Sequence, residues 1–128
     1  MNLLLDTHTF LWFVNADPKL SADAKAHIED QSNRKIVSVA SCWEIAIKVA
    51  LGRLALGEPA TTFLPRQLAA NCLDVLPISL EHALFVETLP HHHGDPFDRM
   101  LLAQALIETF SIVSIDTSFD SYGVKRIW

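Results

Sequence analysis

The chain has 128 residues, half of them apolar, a formal charge of −5 and two cysteines. That length can bury a core without disulfides or a structural metal, so one domain spanning residues 1–128 is expected. The acidic balance argues against gripping nucleic acid by overall charge, and no run approaches the roughly 20 apolar residues that span a bilayer. Asp6 interrupts the N-terminal apolar run too early for a leader peptide. Cys42 and Cys72 lie in apolar stretches outside any C-x-x-C pattern and read as buried free thiols of a reducing, cytoplasmic compartment.

Residues 2–5 predict a short buried strand, followed by a helix through Phe10-Leu11-Trp12-Phe13-Val14 that Asp17-Pro18 breaks. Ser21 is placed to cap a helix over 22–31. Lys35 to Val39 predicts a second strand, after which Ser41 caps a helix ending at Gly52. Thr61 or Thr62 starts a helix to about Asn71, with Pro65 tolerated only near its first turn. Val75 to Ile78 predicts the third strand, and Ser79 caps a helix from Leu80 to about Leu89. His91-His92-His93-Gly94 reads as a polar loop. Asp95-Pro96 opens a helix over 96–109, Ser111 to Ile115 predicts a fourth strand and Lys125 to Trp128 a fifth. Strands alternating with helices imply a three-layer α/β/α sandwich around a mainly parallel sheet of four to five strands. In such sheets ligands bind beyond the carboxyl ends of the strands.

Four carboxylates border strongly apolar runs: Asp6 after Leu3-Leu4-Leu5, Glu44 inside Cys42-Trp43-Glu44-Ile45-Ala46-Ile47, Asp98 before Met100-Leu101-Leu102-Ala103, and Asp116 after Ile112-Val113-Ser114-Ile115. Ionised groups are rarely buried unless paired or bound to a cation. Each acid also has a plainer reading. Asp6 and Asp116 could cap the elements that follow, and Glu44 could form an i,i+4 pair with Lys48 on a helix apolar nearly all round. Asp95 and Asp98 could serve a helix start. Together they ask for more, because two carboxylates about 5 Å apart repel by about 3 kcal/mol at an effective dielectric of 20. Oxygen ligands with few nitrogen or sulfur donors favour Mg²⁺ or Mn²⁺ over zinc. The histidine run lacks matched zinc ligands, and a phosphate contact by His92 or His93 is its functional alternative. Arg99 could pair with a nearby acid or contact a phosphate. Arg34, Lys35, Lys48, Arg53, Arg66, Lys125 and Arg126 could line a groove with it.

The segments LLLDTHTFLW, SVASCWEIAIKVALGRL, HHHGDPFDRMLLAQAL and SIVSIDTSFDSYGV, in this order, resemble a PIN-domain ribonuclease of the VapC toxin type. The resemblance spans essentially the whole chain. It implies that Asp6, Glu44, Asp98 and Asp116 are the metal-binding acids, with Asp116 the most variable of the four. Thr7, Ser41, Asp95, Arg99 and Ser114 become candidates to hold those acids or to contact substrate. It further implies Mg²⁺-dependent cleavage of RNA, tRNA or rRNA among the targets, with Mn²⁺ as a substitute, leaving a 5′-phosphate and a 3′-hydroxyl. A small antitoxin partner and a homodimer are also implied, Phe10, Trp12 and Phe13 being either dimer surface or plain core. Two rival readings stay open: a non-catalytic partner-binding module, and a metal-dependent phosphatase or DNase on the same scaffold.

Overall fold

The structure is a computed structural model that describes residues 1–128. Its strands are β1 (Asn2–Leu5), β2 (Arg34–Ser38), β3 (Asp74–Leu76), β4 (Ser111–Val113) and β5 (Arg126–Ile127). The helices are α1 (Thr7–Val14), α2 (Ala22–Glu29), α3 (Val39–Ala50), α4 (Ala60–Ala70), α5 (Leu80–Phe85) and α6 (Pro96–Glu108), with 3-10 turns at Val86–Thr88 and Thr117–Tyr122. The strands form one parallel sheet in the order β3-β2-β1-β4-β5.

Alternation along the strands sorts the core into two layers. Leu3, Leu5 and Val37 face one side, packed with Phe10, Ile28, Ile45 and Phe63 from α1 to α4. Leu4, Ile36 and Ile112 face the other, packed with Leu101, Leu102 and Phe119. Strands covered on both faces must be apolar throughout, which is why β1 reads as an unbroken leucine run. The chain winds from β1 through β2 to β3 in one direction, then returns to place β4 on the opposite side of β1. The crevice at the carboxyl ends of β1 and β4 is therefore the topological switch point, where doubly wound sheets bind ligands.

Several boundaries differ from expectation, each for a local reason. Strand β2 ends at Ser38 rather than Val39, because the Ser38 hydroxyl accepts from the Ala40 N–H and caps α3 three residues before Ser41. Ser41 is thus a buried residue inside the helix, not its cap. Helix α4 starts at Ala60 with no side-chain cap, and Pro65 sits past its first turn, where a backbone donor is lost; Phe63 and Leu64 anchor the helix by burial instead. The Ser79 cap forms as expected, but α5 stops at Phe85 and tightens into the 3-10 turn. Strand β3 is Asp74–Leu76 rather than 75–78, and β4 is Ser111–Val113 rather than 111–115, with the Ser114 N–H still donating to the Ile127 carbonyl of β5. Phe10 lies wholly in the core, which removes it from any dimer surface, while Trp12 packs edge-on against Trp128. Cys42 is half-buried, and Cys72 is exposed at a positive φ just after α4, so neither is the fully buried thiol expected. No helix is long and apolar enough to cross a membrane.

Candidate metal centre

Asp6 leaves β1 at the switch point and is 5% exposed. One carboxylate oxygen accepts from the Thr9 N–H at 2.8 Å, capping α1, and the other accepts from the Ser114 hydroxyl at 2.5 Å. Ser114 in turn accepts the Asp116 N–H at 3.0 Å. One hydroxyl thus joins the ends of β1 and β4 and fixes the backbone from which Asp116 projects. Asp116 also caps the 3-10 turn by accepting from the Ser118 N–H. Burial alone would raise its pKa, but the bonds from Ser118 and His93 outweigh that and hold it below the ordinary carboxylate range.

Helix α3 brings Glu44 to the same edge, 6% exposed. Thr7 donates to its Oε1 at 2.7 Å and stands 3.0 Å from the Ser41 hydroxyl. Lys48 reaches Oε2 at 2.7 Å. The i,i+4 pair is real, yet it is no surface pair, because the carboxylate end is buried. The helix is apolar nearly all round as expected, yet one apolar side faces solvent and carries Trp43.

Helix α6 faces these acids from the other side of the centre. Asp95 is the N-cap, accepting from the N–H groups of Phe97 and Asp98, and Pro96 fills the first helical position, where its missing N–H costs nothing. Asp98 points toward the other acids. Burial first, then the charges of Asp95, Asp6 and Glu44, push its pKa up to about 7 against the opposing pull of His93.

His93 is the residue that sequence reasoning undervalued. Its Nε2 lies 3.0 Å from Asp116 and 3.1 Å from Asp98, while its ring stacks on Phe119. The Asp95 N–H donates to Nδ1, so the proton belongs on Nε2, facing the acids. One ligand atom from each of His93, Asp98 and Asp116 falls within 4.8 Å of the others, and with its Nδ1 already accepting from Asp95, His93 stands as a donor to the two acids rather than as a member of a zinc set. The only sequence cue was its place two residues before the cap.

Arg99 does not do what was expected of it. Its guanidinium is buried and donates to the carbonyls of Val86, Leu89, Pro90 and His93, so it is spent on holding the loop that carries His93.

The acids therefore form a linked arrangement: Asp6 to Asp116 through Ser114, Asp116 and Asp98 through His93, and Glu44 to the residue beside Asp6 through Thr7. Oxygen donors around an acid lifted to about 7 suit a hard divalent cation, whose charge would offset the repulsion. The PIN domain family model matches residues 3–125. The chain belongs to the PIN domain family. Over 70 residues this PIN domain is 39% identical to Ribonuclease VapC16 of Mycobacterium tuberculosis, a segment covering 52% of this chain and 48% of that relative. The matched segment thus spans about half the length of the relative. Its fold is similar to VapBC2 from Rickettsia felis bound to a promoter DNA fragment, with a TM-score of 0.72 at 14% identity, covering 98% of this chain and 97% of that one. VapBC-1 from nontypeable Haemophilus influenzae gives a TM-score of 0.68 at 16% identity, covering 98% and 96%. The resemblance to VapC-type PIN domains read from the sequence holds in both comparisons, and the α/β/α sandwich is the fold expected.

Proposed function

We propose that this PIN domain is a metal-dependent endoribonuclease acting as the toxin of a cytoplasmic toxin–antitoxin pair. The observation that carries the reading is the gathering of Asp6, Glu44, Asp98 and Asp116 at the switch-point crevice, linked through Ser114, His93 and Thr7. Asp6, Asp98 and Asp116, with Glu44 beside them, would hold Mg²⁺ or Mn²⁺. Bound there, the cation supplies an activated water and neutralises charge on the scissile phosphate. The chain's own part is positioning. Thr9 and Ser114 fix both oxygens of Asp6, and Thr7 and Lys48 fix both oxygens of Glu44. His93 presents an N–H between Asp98 and Asp116, and Arg99 pins the loop beneath it. The name of the mycobacterial relative supports RNA as substrate, and the VapBC complexes support a small antitoxin as partner. A homodimer belongs to the same reading.

The test compares purified wild type with Asp6→Asn on labelled bulk RNA and matched DNA, in Mn²⁺ and in EDTA. Asn keeps the size and the capping oxygen of Asp6, so the fold should survive. Cleavage of RNA alone, abolished by EDTA and reduced at least about 100-fold in Asp6→Asn, is expected. Equal cleavage by the variant removes Asp6 from the reaction. Preferred cleavage of DNA, or no cleavage of either polymer, would favour a rival reading.

A further inference from the structure

Beside the acids, and lined by none of them, lies a cavity of about 500 Å³ walled by Trp43, Phe97, Ile78, Val86, Pro96 and Met100. Trp43 is 59% exposed, which is costly for the largest apolar side chain, and its ring meets Phe97 edge-on at 5.4 Å. Resting on the ribonuclease reading, we propose that Trp43 and Phe97 form a stacking subsite for an unpaired RNA base next to the scissile phosphate.

The placement supports this occupant. Trp43 immediately precedes Glu44 on α3, and Phe97 immediately precedes Asp98 on α6. Consecutive helix positions project about 100° apart, so the rings flank the acids rather than sharing their face, and a base next to a phosphate held at the acids is within reach of them. His91 lines the same cavity and offers hydrogen bonding to a base edge.

Charge gives the second argument. Of the ten basic side chains, Lys25, Arg34, Lys48, Arg66 and Arg126 are paired with carboxylates, and Arg99 is spent on carbonyls. Lys19, Lys35, Arg53 and Lys125 remain on a chain of net charge −5. Phosphate contacts that release counterions are therefore few. Stacking on aromatic faces is the source of single-strand affinity that needs no positive charge.

The experiment measures fluorescence anisotropy of a labelled, mixed-sequence, single-stranded 12-nucleotide RNA in Mn²⁺. The protein is the Asp6→Asn form, so that the RNA stays whole, with Trp43 intact or changed to Phe or Ala. Trp43→Ala should weaken binding by about 5- to 100-fold, the effect of losing one stacked base, and Trp43→Phe by about threefold or less. An abasic oligonucleotide should bind the Trp43 and Ala forms equally weakly. Equal RNA affinity with and without Trp43 overturns the proposal. Cleavage of bulk RNA by the parent enzyme is measured separately, so a failed subsite is distinguishable from a failed ribonuclease.

Discussion

On one wall of the centre, formed by the ends of β1 and α3, every carboxylate oxygen of Asp6 and Glu44 has its own donor. On the other, formed by α6 and the segment after β4, Asp98 and Asp116 face a single Nε2–H of His93 at nearly equal distances. Asp116 has a further donor in Ser118, and Asp98 does not share it. The first wall is preorganised by neutral hydroxyls, a backbone amide and one lysine; the second leaves one acid undercompensated. Burial first, and then the charges of Asp95, Asp6 and Glu44, drive the undercompensated Asp98 to about 7.

The largest expected effect comes from removing what holds the second wall in place. Arg99→Met keeps an apolar stem but removes a donor from four carbonyls, of which Val86 still accepts from the Leu89 N–H. Chemical denaturation should show a loss of about 4 kcal/mol, and amide exchange should rise in residues 89–94 while the ends of β1 and α3 stay protected. If protection falls equally on both walls, they are one unit and the contrast fails.

A smaller effect comes from pH. In the unfolded chain Asp98 ionises near 3.8, whereas in the folded protein it holds its proton to about 7. Between those values the native state binds a proton that the unfolded state has lost, so stability falls as pH rises through this window. The loss should approach about 2–3 kcal/mol by pH 7.5 after allowance for residual hydration. Asp116, whose pKa is lowered, acts in the opposite sense and gives up its stabilisation only as the pH drops below the ordinary carboxylate range. Denaturation at a series of pH values in EDTA checks both signs. A flat profile from pH 4 to 7 would remove the strain assigned to Asp98.

Most of the architecture was legible because the leucine run of β1 ends at Asp6 and the Ile112-Val113 pair of β4 lies just before Asp116, as strands buried on both faces and opening onto a polar edge do. The Ser21, Ser79 and Asp95 caps were readable from their neighbours. Ser38 and Ser41 were not separable, since either serine suits a cap and Val39-Ala40 suits strand or helix. The exposed side of α3 was hidden for a related reason: an apolar helix gives no sign of which face meets solvent, so nothing marked Trp43 as exposed. His93 and Arg99 depend on contacts that the local sequence does not encode. His93 meets an acid 23 residues away through a folded loop, and Arg99 collects carbonyls across a break in helical geometry that began at Phe85.

The account turns on whether the strain at Asp98 is what a cation relieves. Thermal unfolding of wild type and Asp98→Asn at pH 7.5, each titrated with Mn²⁺, measures this directly. Without cation, Asp98→Asn should be the more stable protein, because the amide keeps the shape and removes the buried charge. With Mn²⁺, wild type should rise in Tm with concentration as a ligand-bound native state does, and the variant should gain little. An Asp98→Asn protein that is less stable than wild type without cation, yet gains as much from Mn²⁺, would contradict the account.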